Sequence, residues 1–152
     1  MKFISQGTQY AIGAIIAISK HPSDIISASE LARSMECPAA YLSQILAKLK
    51  TPGIIKSQRG LHGGVYLAKN LKEISIYEVI AAIDGEVFFN SCFMGIEGCG
   101  NIEPCPFHSF WAAERDKIGD WLHETNFENL GNLMTQAWFE QHLSFLKVIG
   151  KK

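Results

Sequence analysis

Apolar residues in the first half of the chain recur at helical spacing, and the breaks between them fall at residues that stop or start helices. Residues 5–20 carry Tyr10, Ile12, Ile15, Ile16 and Ile18 among alanines, the pattern of a largely buried helix, and His21-Pro22 cannot continue it. Ser27 followed three residues later by Glu30 forms a capping box for a short helix through Met35, with Leu31 facing inward. Past Glu36-Cys37, Pro38 stands at a first helical position, and Leu42, Ile45, Leu46 and Leu49 follow at i, i+3, i+4 and i+7. The other face of this third helix holds Ala39, Ala40, Tyr41, Ser43, Gln44 and Lys48, which are short or hydrogen-bonding side chains. Two short helices joined by a tight turn, the second with a small polar face, form a helix-turn-helix pattern.

Pro52-Gly53 then closes the helix, and the strand-like runs 54–57 and 65–68 flank Arg59-Gly60-Leu61-His62-Gly63-Gly64. A β-hairpin directly after a helix-turn-helix is a wing. Its glycines let the backbone approach a phosphate or groove closely, and Arg59 supplies charge. Ser75 and Glu78 open a further helix with Ile76, Val79, Ile80 and Ile83 on one face, ended by Asp84-Gly85. Residues 86–106 lose all periodicity, so no regular element is expected there.

From Phe107 an apolar stripe resumes through Phe110, Trp111, Ile118, Trp121 and Leu122, broken at Glu114. Such a stripe is too apolar for a lone exposed helix, and burial against a symmetry mate predicts a two-fold homodimer. Thr125 with Glu128 predicts a cap for a short further turn, and the tail reads as weakly amphipathic through Leu133, Ala137, Trp138, Leu143, Leu146 and Ile149.

Charge adds a partner to this picture. Residues 1–70 hold eight Lys/Arg against three Asp/Glu, and residues 71–152 hold six against twelve. The winged half therefore suits a polyanion, and the second half suits solvent or a partner subunit. The longest apolar stretch, Tyr10 to Ser19, is about half of the roughly 20 residues a membrane span needs, and no basic-then-apolar leader opens the chain. The expectation is a cytoplasmic protein.

In a reducing compartment thiols are more often metal or redox groups than disulfides. Cys92, Cys99 and Cys105 lie among Gly95, Gly98, Gly100, Pro104 and Pro106, and His108 follows Cys105 by three. Thiolates bind soft centres, and a cluster needs ligands spread along a pliant loop, whereas zinc sites usually show two close ligand pairs. Only Cys105 and His108 make such a pair here, which favours an iron–sulfur cluster while leaving zinc open. Cys37 falls at the N-cap of the third helix, where the helix dipole could lower its pKa, and it is assigned no role.

These pieces together resemble the IscR/NsrR/CymR family of bacterial regulators, the Rrf-two family, from Gly7 to about Leu130. The resemblance rests on Thr8-Gln9-Tyr10-Ala11-Ile12, Ser29-Glu30-Leu31-Ala32, Tyr41-Leu42-Ser43-Gln44-Ile45-Leu46, Lys56-Ser57-Gln58-Arg59-Gly60 with Gly63-Gly64-Val65-Tyr66-Leu67-Ala68, the segments Ile74-Ser75-Ile76 and Ile83-Asp84-Gly85, and the three cysteines. It implies a homodimer of crossing helices, with a cluster at the base of each helix whose gain or loss changes operator affinity. Cys105 with His108 is similar to the three-cysteine, one-histidine ligation of the IscR type, which implies a 2Fe-2S rather than a 4Fe-4S cluster. NsrR-type members can take a carboxylate from the partner's first helix, and Gln9 at the matching position is a poor ligand. Two departures stand out. Six residues separate Cys92 from Cys99 where the family commonly has five, and Ser43 replaces a glutamate of the IscR type.

The expected fold is mainly α with a small β-hairpin wing, a winged helix-turn-helix plus a long dimerisation helix. Residues 1–85 form the DNA-binding domain, 86–106 the cluster loop, 107–130 the dimerisation helix and 131–152 a helical C-terminal tail. Expected metal ligands are Cys92, Cys99, Cys105 and His108. Expected contacts to a double-stranded operator are Ala39, Tyr41, Ser43, Gln44 and Lys48 in the major groove, with Arg59, His62 and Gly63 at the minor groove or phosphates. No enzymatic constellation, membrane or small-molecule substrate is expected. A cluster-free regulator sensing through zinc, thiols or a protein partner, and an iron–sulfur carrier, remain as alternatives.

Overall fold

The computed structural model describes residues 3–21, 23–100 and 103–133; most of the predicted tail, 134–152, lies outside the described residues. Helix α1 spans Gln6–Lys20, α2 Ala28–Ser34 and α3 Ala39–Lys50; strands β1 (Ile55–Gln58) and β2 (Gly64–Leu67) follow, then α4 (Ile76–Asp84), α5 (Val87–Asn90), α6 (His108–Glu124) and α7 (Phe127–Leu133). The fold is mainly helical with one antiparallel hairpin in the register Ile55↔Leu67 to Gln58↔Gly64, as the sequence predicts. Among the described residues no helix is long and apolar enough to cross a membrane.

Helix α1 is the centre of the domain. Ala11, Ala14, Ile15, Ala17 and Ile18 are all buried, and the alanines allow α3, α4 and β2 to approach closely. Leu42, Ile45, Leu46 and Leu49 of α3 and Val79, Ile80 and Ile83 of α4 complete the core. Full burial of such side chains contributes about 1.5–3 kcal/mol each, so the i, i+3, i+4, i+7 pattern is what fixes α3 in place. The hairpin is joined to the helices through Ile26 and Val65, which exchange main-chain hydrogen bonds of 3.1 and 2.8 Å. Gly64 makes that approach feasible, because a Cβ there would lie 2.3 Å from the Ile26 carbonyl oxygen.

Caps explain where helices begin. Ser27 Oγ accepts from the Glu30 amide and Ser75 Oγ from the Glu78 amide, both at 3.1 Å. The reciprocal carboxylates go elsewhere, Glu30 beside His21 and Glu78 to Lys69. A full capping box forms instead between Asn70 and Glu73, at the short 3-10 turn before α4.

Three expectations change. A helical turn, α5, occupies the start of the 86–106 segment expected to hold none. The expected 107–130 helix is two helices: Thr125 ends α6 rather than capping a new turn, and Asn126 Oδ1 accepts from the Asn129 amide to start α7. The apolar stripe of α6 also divides. Leu122 is buried and Ile118 packs on the core, while Phe107, Phe110 and Trp121 are exposed.

Candidate metal centre and nucleic-acid interface

The third helix presents its polar face to solvent: Ala39, Tyr41, Ser43, Gln44 and Lys48 are all exposed while the four leucine and isoleucine positions are buried. Tyr41 leans edge-on against Tyr10 of α1, with ring centroids 5.7 Å apart. Lys48 differs from the others, because its Nζ donates to the Ile83 carbonyl at 2.9 Å, within the domain. On the wing Arg59 and His62 are exposed and Gly63 is half-buried. Sequence reasoning passed over Leu61, which is 95% exposed at the tip between them. Its signal was present as an apolar residue at the centre of a polar turn.

Cys37, at the turn before α3, is buried with its Sγ 3.6 Å from the Pro38 carbonyl. Burial pushes its thiol up, and the amide near Leu42 does not offset this. The lowering expected from the helix dipole does not occur, because the thiol is desolvated.

The second candidate site is the loop between α5 and α6. Its three thiols converge: the sulfurs of Cys92, Cys99 and Cys105 all lie within 4.8 Å of one another, the one such group among the described residues. Cys92 and Cys105 are 3.7 Å apart, and His108 Nδ1 lies 3.7 Å from Cys99 Sγ. The glycines explain how so short a segment coils. The Gly95 amide donates to the Cys92 carbonyl and the Cys99 amide to the Ile96 carbonyl, with Gly95, Gly98 and Gly100 at φ of 71°, 69° and 96°. His108 opens α6, its own amide bonded to the Cys105 carbonyl at 2.9 Å.

Main-chain donors also tune the thiols. The Met94 amide donates to Cys92 Sγ and the Cys105 amide to Cys99 Sγ, each at 3.4 Å. Desolvation works to raise Cys92, but the amides of Ile96 and Met94 and the neighbouring thiols outweigh it and bring the group down to about 7. Cys105 moves the other way, raised by desolvation and by the adjacent thiols. A thiol near neutrality beside a higher one is suited to losing protons to a metal.

The donor set fits a soft metal centre. Metal–sulfur bonds of about 2.3 Å in tetrahedral geometry separate two sulfurs by about 3.8 Å, close to the 3.7 Å between Cys92 and Cys105. Cys99 and His108 form a second pair at that spacing. The four residues would hold one ion together, or would spread to divide between the irons of a two-iron cluster.

The loop is tied at its start. The Ser91 carbonyl, next to Cys92, accepts from Trp111 Nε1 at 2.8 Å and from Arg115 Nη1 at 3.1 Å, both on α6. Trp111 packs edge-on against Phe88 and Phe93. The α4 end of the segment is fixed as well, since Asp84 accepts from the Ser5 amide and from the hydroxyls of Ser5 and Thr8 at the start of α1.

Comparison with known proteins places this arrangement. Residues 4–132 match a family described as Rrf2, iron-dependent transcriptional regulator. The chain is 30% identical over 133 residues to the HTH-type transcriptional regulator IscR of Pectobacterium carotovorum and 31% identical to that of Photorhabdus laumondii, covering 87% of this chain and 80% of each relative. Among solved structures it is similar to CymR, the global cysteine regulator of B. subtilis, at 25% identity and a TM-score of 0.70, over 89% of this chain and all of that one. It is likewise similar to the oxidized form of Staphylococcus aureus CymR, at 28% identity and a TM-score of 0.67, over 90% of this chain and all of that one. The relatives are regulators rather than enzymes, and the match spans the winged domain, the loop and α6: the chain belongs to the Rrf2 family of transcription regulators.

Proposed function

We propose that this chain is a homodimeric, sequence-specific DNA-binding regulator whose operator affinity is set by an iron–sulfur cluster on Cys92, Cys99, Cys105 and His108. The observation that carries the reading is the convergence of three thiols within 4.8 Å, with an imidazole 3.7 Å from one of them. The three-cysteine, one-histidine donor set, similar to the ligation of the IscR type, favours a 2Fe-2S over a 4Fe-4S cluster.

The bound cluster supplies a redox-active, oxygen- and nitric-oxide-sensitive group. The chain supplies its placement. Cys92 follows the Ser91 carbonyl held by α6, and α5 connects it to the end of α4, where Lys48 of α3 is also anchored. A change in loop geometry on gaining or losing the cluster therefore has a short path to the DNA-facing helix, along the chain to Ile83 and across the Lys48 hydrogen bond. Ala39, Tyr41, Ser43 and Gln44 meet base edges in the major groove, and Arg59, His62 and the Gly63 backbone meet the minor groove or phosphates. Lys48 holds the helix in position from its Ile83 anchor. Two such units meet half-sites about 34 Å apart.

The 3.7 Å spacings and the approach of all three sulfurs within 4.8 Å support a second reading, a single zinc ion on the same four ligands. Anaerobic purification with visible spectroscopy and counts of iron, sulfide and zinc per chain separates them. A coloured protein with two irons and two sulfides per chain supports the first reading; a colourless protein with one zinc supports the second; metal-free protein overturns both. Duplex sequences selected from a random pool by the loaded dimer then test operator recognition, and a sequence-indifferent result leaves only a carrier role.

A further inference from the structure

Gly100 differs from the other glycines of the cysteine loop. A Cβ built on Gly95 or Gly98 meets nothing within 4 Å, so those two are needed only for their positive φ. A Cβ on Gly100 would lie 2.2 Å from Cε1, 2.8 Å from Nε2 and 3.0 Å from Nδ1 of His108. All three nearest atoms belong to the imidazole, so the ring rests on the bare Cα. On the same ring Nδ1 is 3.7 Å from the sulfur of Cys99, the residue just before Gly100.

The main chain leaves the ring little alternative. His108 is the first residue of α6, its amide is held by the Cys105 carbonyl, and the next turn is closed by the Trp111 amide on the Phe107 carbonyl at 2.8 Å. A side chain at position 100 thus displaces the imidazole from the thiols rather than moving the helix.

We propose that Gly100 is a positioning residue for the fourth metal ligand, providing the seat that turns His108 Nδ1 toward the Cys92, Cys99 and Cys105 sulfurs. The proposal rests on the reading of His108 as a ligand. With the residue's own φ of 96°, it accounts for a third glycine directly after Cys99. It also identifies Gly100 as the point where substitution converts a four-ligand site into a three-thiol one.

Cobalt(II) added anaerobically to the reduced, metal-free full-length chain gives a direct readout, because its visible d–d bands report the donor set and its titration gives affinity. His108→Ala, Gly100→Ala, Gly98→Ala and the double variant Gly100→Ala/His108→Ala are compared with the parent. Gly100→Ala is expected to show the band pattern of His108→Ala, to bind cobalt about 10–100-fold more weakly, and to add nothing to it in the double variant. Gly98→Ala carries similar backbone strain in open space and is expected to keep the parent spectrum. One further comparison separates loss of the seat from a general effect on the loop. In a His108→Cys background, where no ring rests on position 100, Gly100→Ala is expected to cost no more affinity than Gly98→Ala does.

The proposal is overturned if Gly100→Ala keeps the parent bands, if Gly98→Ala matches it, or if it costs more affinity than Gly98→Ala in the His108→Cys background. Should His108→Ala itself bind cobalt as the parent does, the ligand assignment fails and the seat fails with it, which separates the two readings.

Discussion

Lys48, on the exposed polar face of α3, donates its ammonium to the carbonyl of Ile83, the penultimate residue of α4, at 2.9 Å. Through this bond the helix proposed to read DNA is fastened to the segment that leads, through Gly85 and α5, to Cys92. Replacing Lys48 with Met is expected to lower stability by about 1–2 kcal/mol, the range for a hydrogen bond from a charged donor that is partly solvated. The slope of DNA affinity against salt is expected to stay unchanged, since a lost phosphate contact reduces it by about 0.9. Urea denaturation and binding at several salt concentrations check both. A reduced slope would return Lys48 to the DNA-contact set.

Asp84 gives the same junction a pH dependence. Burial works to raise its carboxyl, but hydrogen bonds from Ser5 and Thr8 and the charge of Lys48 prevail and hold it below the ordinary carboxylate range. The unfolded chain therefore binds this proton more readily, so stability from Asp84 is present above about pH 4 and lost as pH falls through the folded value. Asp84→Asn is expected to be less stable than the parent at pH 7, with the difference shrinking toward pH 3. Urea midpoints across that range measure it. A constant difference would mean the carboxylate's charge contributes nothing.

How much of this could be read from the chain follows from where the signals are local. The hairpin, α1, α3 and α4 were legible because burial repeats at fixed spacing, as at Leu42, Ile45, Leu46 and Leu49, and because Ser27 and Ser75 mark starts. The thiols were legible as chemistry, and the structure brings all three together with His108 beside Cys99. What sequence could not show is direction. Trp111, Leu122, Phe110 and Trp121 look alike as one apolar stripe, and only packing sorts them into inward and outward sets. The Lys48 anchor and the Gly100 seat depend on contacts with residues 35 and 8 positions away, with no local pattern to reveal them.

Cys37 is expected to react unlike the loop thiols. Its burial hides the sulfur from reagent and keeps it protonated at neutral pH, whereas the three loop thiols are partly exposed and thiolate is the nucleophile in alkylation and disulfide exchange. In metal-free folded protein, Ellman's reagent should titrate the three loop thiols first and Cys37 only once denaturant is added. Cys37→Ala should cost about 1 kcal/mol through the small cavity it leaves and leave metal binding unchanged. Rapid reaction of all four thiols in the folded protein would show that the turn before α3 opens readily.

The Ser91 carbonyl has two donors from α6, Trp111 and Arg115, immediately before Cys92. Trp111→Phe keeps the packing on Phe88 and Phe93 while removing one donor, and Arg115→Met removes the other. Each is expected to weaken metal retention about 10-fold, as loss of a group that orients a ligand does. Because both act on one carbonyl, the double variant should fall short of the product of the two. Metal release to a chelator, followed in time, gives the comparison. Unchanged release in the double variant would show that the clamp does not orient Cys92.

Phe110 and Trp121 stand eleven residues apart on α6, three turns of helix, and so share one face. They are 71% and 62% exposed, with the Glu114–Lys117 ion pair on the turns between them. Leu122 and Ile118, roughly a quarter to a third of the way round the helix, anchor it to the core. In the proposed homodimer this outer face seats the second copy, and large aromatic residues at an interface centre commonly carry 2 kcal/mol or more, about 30-fold in affinity. Phe110→Glu with Trp121→Glu is therefore expected to raise the dimer dissociation constant by a factor of several hundred, with the circular dichroism spectrum preserved since neither residue supports the domain core. Sedimentation equilibrium would read the shift, and DNA affinity should fall with it, because a monomer can occupy only one half-site. A double variant that remains dimeric at low micromolar concentration would place the subunit interface elsewhere on the chain.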